Sequence, residues 1–167
     1  MNDNNYVECL VKGKASVLMK FLKILAIMLA AACFLLSMIS ANLLFIILFV
    51  VLAVAAYFAN MNADIEYEYL YCDHEISVDK ILNKSRRKNV GKFETERMDI
   101  LAPIKSYHLD EYKNKTLKNL DFSTGEEKQP DTRFVMIYDG REKIVFEPNE
   151  EMVEAIKNVA PRKVFKD

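Results

Sequence analysis

From Ile24 to Ala59 the chain runs through 36 positions without a charged side chain. One helix of that length would extend about 54 Å at ~1.5 Å per residue. The hydrocarbon core of a bilayer is only about 30 Å thick and takes roughly 20 residues. The run therefore predicts two helical spans, near 19–39 and 43–60, folded back at the polar interruption Ser37-Met38-Ile39-Ser40-Ala41-Asn42. Ser40 and Asn42 suit a turn because their side chains bond nearby backbone. Lipid offers open backbone no partner, so both spans must be helical. Ala26 and Ala30 in the first span, and Ala55 and Ala59 in the second, recur at the spacing that lets helices approach closely, although alanine is common in any apolar helix. A secretory signal has an apolar segment of only about 7–15 residues, so residues 17–62 read as a transmembrane helical hairpin.

Beyond residue 63 the period changes to two. Ile65, Tyr67, Tyr69 and Tyr71 alternate with Glu66, Glu68 and Leu70, a strand pattern. Cys72–Glu75 is a turn, and Ile76 and Val78 alternate with Ser77 and Asp79, so 64–82 reads as a hairpin. Asn83–Asn89 reads as a basic loop and 90–97 as a strand. Pro103 breaks the next segment, with a helical turn and then a strand expected around 104–109. A further strand at 116–122 and a loop at 123–131 follow. Asp139-Gly140, between Arg133–Tyr138 and Glu142–Glu147, is a strong hairpin signal because both central residues of a type I′ turn need positive φ. Asn149 is placed to cap a last helix, about 149–160, whose first turn carries Glu150 and Glu151 at the positive end of the dipole. Met152, Val153, Ile156 and Val159 form its apolar face, and Pro161 ends it.

The predicted class is thus α+β: a two-helix transmembrane hairpin, then a small antiparallel sheet or partial barrel over residues 63–167. That sheet has about six or seven strands and an open end closed by the C-terminal helix. At the other end of the chain, Tyr6, Val7, Leu10 and Val11 share a helical face. Residues 1–16 are expected to be an amphipathic helix, lying on the membrane interface or packed on the β domain.

Charge gives the orientation. Lys12, Lys14, Lys20 and Lys23 precede or enter the first span, the turn between spans has no charge, and Lys80, Lys84, Arg86, Arg87, Lys88 and Lys92 follow the second. Positive charge favours the cytoplasmic side. A multi-pass protein of the cell membrane with both termini cytoplasmic is expected, even though Asp64, Glu66 and Glu68 lie nearest the second span. The net charge of −1 lacks the basic excess of a nucleic-acid binder. Cys9, Cys33 and Cys72 are odd in number and far apart, which suits a reducing compartment and suggests no disulfide.

Candidate chemistry is sparse. Cys72 and His74 supply two metal-ligand types near a turn, but structural zinc takes four ligands. His108, Asp110 and Glu111 contain an acid/base pair, but the segment reads first as a solvated strand end. No metal, cofactor or catalytic residue is expected. The most suggestive polar cluster is Lys84, Arg86, Arg87 and Lys88, a candidate contact for anionic lipid headgroups at about 1 kcal/mol per basic residue near the surface; the plain alternative is a solvated hairpin tip. Arg162, Lys163 and Lys166 form a second basic patch.

The stretches EYEYLYCDHEISVDKILNKSRRK and EPNEEMVEAIKNVAPRKVF resemble the first hairpin and closing helix of bacterial pleckstrin-homology (PH)-like membrane proteins. The segments YVECLV, APIKSYHLD and GEEKQPDTRFVMIYDG resemble a bacterial family of two-span proteins of this length. The resemblance implies architecture and no particular activity. The expected function is a membrane-anchored, non-enzymatic module that presents a PH-like domain at the cytoplasmic surface for a protein partner or lipid headgroups. Two alternatives stand beside it: a structural subunit of a membrane assembly, homo-oligomers included, and an enzyme with a site around His108.

Overall fold

A computed structural model of the chain describes residues 6–14, 17–40 and 42–166. They fall into two compact units: residues 15–65 with the short segment 82–86, and the remainder of the chain.

The first unit holds two helices, α1 (Val17–Ser40) and α2 (Leu43–Ala63). Both are long and apolar enough to cross a membrane. They break where the polar interruption predicts. The Ser37 and Ser40 hydroxyls donate to the Phe34 and Leu36 carbonyls at 2.7 and 2.6 Å. Asn42 caps α2 by accepting from the Leu44 amide at 3.0 Å, satisfying one of the orphan donors at a helix start. The less exposed residues on α1 are Lys23, Ala26, Ala30, Cys33 and Ser37, and on α2 Phe45, Phe49, Leu52, Ala53, Ala56, Ala59 and Asn60. The alternating steps of three and four on α1 are those of the seam in a left-handed helix pair. Small side chains on α1 admit the larger ones of α2; Phe34 and Phe49 meet with ring centroids 5.4 Å apart. Ala26, Ala30 and Ala59 are buried in this seam as their spacing suggests, whereas Ala55 faces outward. The outer faces are lined with exposed Leu, Ile, Val and Phe.

The second unit is built on eight strands in two sheets. The first sheet has the order β1-β2-β3-β4, with β1 at Tyr6–Lys12, β2 at Ile65–Cys72, β3 at Glu75–Leu82 and β4 at Arg86–Glu94. The second has the order β5-β7-β8-β6: β5 Met98–Pro103, β6 Lys118–Asp121, β7 Phe134–Tyr138 and β8 Glu142–Phe146. β6 runs parallel to β8, so this sheet is mixed. Helix α3 (Glu150–Val159) follows, capped by Asn149 accepting from the Met152 amide at 2.9 Å. Its Met152, Val153 and Ile156 join Tyr69, Tyr71, Ile76, Val78, Met136, Ile144 and Phe146 in the main core. Burying each such side chain contributes about 1.5–3 kcal/mol. The tyrosine row of β2 is the inner face of the sheet, and the buried Tyr69 hydroxyl donates to the Phe122 carbonyl at 2.7 Å. The other face of the second sheet carries a separate cluster, Ile100, Ala102, Val135, Ile137 and Val145, beneath Leu109.

Several expectations are corrected here. Tyr6–Lys12 is a strand, not an amphipathic helix. Seven residues hold two readable periods, and the one that wins puts Val7, Cys9 and Val11 opposite Tyr71, Tyr69 and Tyr67. The β domain consequently does not start at residue 63; its first strand precedes the helices, and the hairpin is an insertion between β1 and β2. The Asn83–Asn89 loop shrinks to the turn Asn83–Ser85, with Asn83 and Lys84 at positive φ. No strand spans 104–109; a 3-10 helix occupies Tyr107–Tyr112, capped by Ser106. Val159 is exposed, one turn beyond the buried face of α3. Asp139 and Gly140 do take positive φ and join β7 to β8, and Asp73 and His74 make the same kind of turn between β2 and β3.

Candidate functional site

The four predicted lipid-contact residues divide. Lys84 sits at the tip of the β3–β4 turn, exposed. Arg86 and Lys88 are exposed on β4, an edge strand of its sheet; lysine and arginine there also discourage edge-to-edge pairing. Arg87 is not free for a ligand. Both of its terminal nitrogens contact Glu68 on β2 at 2.9 Å. Asn89 is likewise spent within the sheet, donating to Ser77 Oγ at 2.8 Å and Asp79 Oδ1 at 2.7 Å, and Lys92 pairs with Glu75 at 2.8 Å.

Within the helical unit the turn residues 82–86 join the helix ends. The Asn83 amide donates to the Asp64 carbonyl at 2.9 Å. A cleft of about 440 Å³ opens there, lined by Lys20, Lys23 and Ile24 of α1, Asn60 of α2, Asp64 and Asn83. Two lysines and two amides supply donors, and Asp64 is the one acid of the lining. The lysine stems rise from an apolar helix, the arrangement in which a long side chain keeps its ammonium at the interface. Lys20 and Lys23 are visible in the sequence as snorkelling candidates; Asn60 and Asn83 are not, because they become part of one cleft only once the helices and the turn fold together.

Glu68 is the residue that strand alternation misreads. Acids on the outward face of a two-sided strand belong in solvent, yet the Glu68 side chain is 5% exposed. Burial, then the neighbouring Glu8 carboxyl, pushes its pKa up, while Arg87 pulls it down.

His108 is held in an aromatic stack, its ring 4.0 Å from Tyr107 and 3.7 Å from Phe165 between centroids. Asp110 pairs with Lys113 at 2.6 Å. Cys72 is exposed at the end of β2 and His74 is a turn residue. Among the described residues no group of three or more His, Cys, Asp or Glu side chains gathers as a metal site.

A second polar centre, which the sequence shows only as a loop, lies at Glu147. Its Oε1 accepts from the Thr124 amide and hydroxyl at 2.8 and 2.5 Å and its Oε2 from Thr132 at 3.4 Å, so one buried carboxylate ties down both ends of the 123–132 loop. Asp131 and Arg133 form a bidentate pair at the end of that loop, at 2.9 and 2.7 Å.

Two four-stranded sheets, a C-terminal helix over the core and an acid-free helix pair agree with the remaining observation: residues 3–166 match the family model described as Bacterial PH-like domain (DUF6106). The chain belongs to that family. The match begins before β1 and ends after α3, so this PH-like protein carries its apolar hairpin inside the family's domain rather than as an attachment to it. No curated protein and no solved structure matches the chain significantly.

Proposed function

We propose that this PH-like protein is a membrane-anchored binding module: the hairpin spans the cytoplasmic membrane, and the β domain stays on its inner face to engage anionic lipid headgroups and a protein partner. The observation that carries the reading is the pairing of β1 with β2. Lys12 and Glu66, which flank the helical insertion, are Cα partners in one antiparallel ladder. A chain that leaves and re-enters the same sheet must cross a bilayer an even number of times, so two spans and a common side for both termini satisfy it. The connections are short: α1 begins five residues after Lys12 and β2 begins two residues after α2 ends. The exposed apolar outer faces of both helices support lipid as their solvent, and the lysine distribution supports an inward orientation.

The headgroup site proposed is the cleft of Lys20, Lys23, Asn60 and Asn83, with Lys84 and Arg86 on the adjoining turn; Arg87 drops out of it. The test uses the full chain in nanodiscs made with or without an anionic phospholipid. Native mass spectrometry is expected to retain anionic lipid on the wild type and to lose most of it when Lys20, Lys23, Lys84 and Arg86 are changed together to Gln. Equal retention in wild type and variant would overturn the headgroup reading. For topology, an impermeant thiol reagent applied to right-side-out vesicles is expected to label Asn42→Cys and to spare the exposed Cys72; labelling of both from one side would overturn the hairpin orientation.

A further inference from the structure

One face of the second sheet is apolar on β5 and β7 and polar toward β6, where Asn119, Asp121 and Lys143 lie. Across its strands the row Asn119–Lys143–Ile137–Ile100 is aligned by register, and the next row is Asp121–Val145–Val135–Ala102. Ile100, Ala102, Val135, Ile137 and Val145 of this face are buried beneath residues 104–117. That covering segment does not close fully. It leaves a cavity of about 320 Å³, with Val135, Ile137, Ile104, Leu109 and Leu117 as floor and wall and Tyr112 at the side. Its polar lining is Asn119 and three lysines, Lys113, Lys115 and Lys143.

The lysines are not equivalent. Lys113 is neutralised by Asp110 at 2.6 Å. The Lys115 ammonium lies 4.4 Å from the centroid of the Tyr112 ring, and Lys143 is half-buried between Asn119 and Ile137 in the register of the sheet. Neither has a carboxylate partner among the described residues; the adjacent Glu142 is taken by Lys118 at 2.8 Å. Two uncompensated ammoniums over an apolar floor complement an anion with an apolar body. A concave, partly apolar pocket with a few convergent polar groups is the common form of a small-ligand site.

We propose that this cavity binds a small amphiphilic carboxylate, its apolar body on Val135, Ile137 and Leu109 and its carboxylate between Lys115 and Lys143, with Asn119 as a further donor. Size decides between such a solute and a membrane lipid. The volume equals about ten water molecules at ~30 Å³ each, enough for an arylalkyl acid and too little for a phospholipid. The site shares no residue with the headgroup cleft and stands or falls separately from the membrane reading.

The test titrates the full chain, reconstituted in nanodiscs of a zwitterionic lipid, with 4-phenylbutyrate, 4-phenylbutan-1-ol and 4-phenylbutylamine, read by saturation-transfer NMR and calorimetry. The carboxylate is expected to bind, the alcohol roughly tenfold more weakly and the amine not at all. Lys115→Gln and Lys143→Gln are each expected to weaken 4-phenylbutyrate several-fold, and Lys128→Gln, on the exposed loop, to leave it unchanged. Lys115 is exposed and Lys143 half-buried, and unchanged thermal unfolding of each variant checks that the fold is kept. Equal binding of acid and alcohol, or unchanged binding in the Lys115→Gln/Lys143→Gln double variant, would overturn the proposal. Displacement of the probe by an anionic phospholipid in the nanodisc would overturn it as well, by making lipid the occupant.

Discussion

Arg87 holds Glu68 with both terminal nitrogens at 2.9 Å, reaching across β3 from one strand to the next but one; the carboxylate side chain is 5% exposed and the arginine 58%. The two members of this pair are expected to respond to mutation with opposite sign. Arg87→Ala leaves a buried carboxylate next to Glu8 and Asp79 without its cation, a loss of about 1–3 kcal/mol. Glu68→Gln removes a charge whose burial is unfavourable and leaves an arginine that water already solvates, so stability at neutral pH changes by less than about 1 kcal/mol or rises. The pH dependence separates them further. A carboxyl whose folded pKa is raised holds its proton more tightly in the native state; that contribution is complete below its unfolded value of about 4.3 and is lost as pH rises through the folded value. Thermal unfolding followed from acid to neutral pH is expected to show this decline in the wild type, a steeper one in Arg87→Ala and none from this site in Glu68→Gln. Equal destabilisation by both substitutions would refute the account.

The Asp131–Arg133 pair has the reverse sign. Bidentate bonds from Arg133, opposed in part by burial, push Asp131 down to about 2. Its contribution is therefore present above the unfolded value of about 3.9 and is lost as pH falls through the interval to about 2. Asp131→Asn leaves a nearly buried guanidinium with only the exposed Glu127, 3.6 Å away, and is expected to cost about 1–3 kcal/mol at neutral pH. The cost should shrink as pH falls below about 4 and approach zero only below pH ~2, since protonation of Asp131 removes the same interaction. Denaturant titrations of wild type and variant at neutral and acid pH check it; a pH-independent difference would mean that the loop geometry, not the charge, matters.

What the chain discloses by itself follows from how local each constraint is. The hairpin is legible because the run carries no charge over 36 positions and is too long for one span, and because Asn42 caps a helix with its own side chain. The β7–β8 turn is legible because Asp139-Gly140 meets a backbone requirement on the spot. β1 is not, since its partner lies on the far side of the hairpin and Tyr6–Lys12 fits two periods. Glu68 is misread for the same reason: the outward position in β2 is a local fact, while the Arg87 that accompanies its burial is two strands along the chain. The cleft at the helix ends is half legible, through Lys20 and Lys23. The cavity on the second sheet is not, because Lys143 reads as an ordinary solvent-facing lysine until residues 104–117 are laid over its sheet face.

The insertion of the hairpin into the ladder yields the sharpest test of the fold. Lys12 and Glu66 are Cα partners, so residues 13–65 are replaceable by a two-residue Asn-Gly loop whose type I′ geometry matches the twist of paired strands. The shortened chain keeps all eight strands and α3 and loses every residue of the apolar helices. It is expected to be soluble, monomeric and cooperatively unfolding. The simpler fragment 64–167 is expected to fail. It lacks β1, whose Val7 is buried in the main core and whose Cys9 and Val11 pack against it. Without β1, the edge of β2 and the tyrosine row at Tyr67 and Tyr69 are uncovered, an open edge and an apolar face that favour association. Size-exclusion chromatography and near-ultraviolet circular dichroism of the two proteins decide the matter: a fragment 64–167 as monomeric and as stable as the joined chain would show that β1 is an accessory to the domain and would remove the topological argument for an even number of membrane crossings.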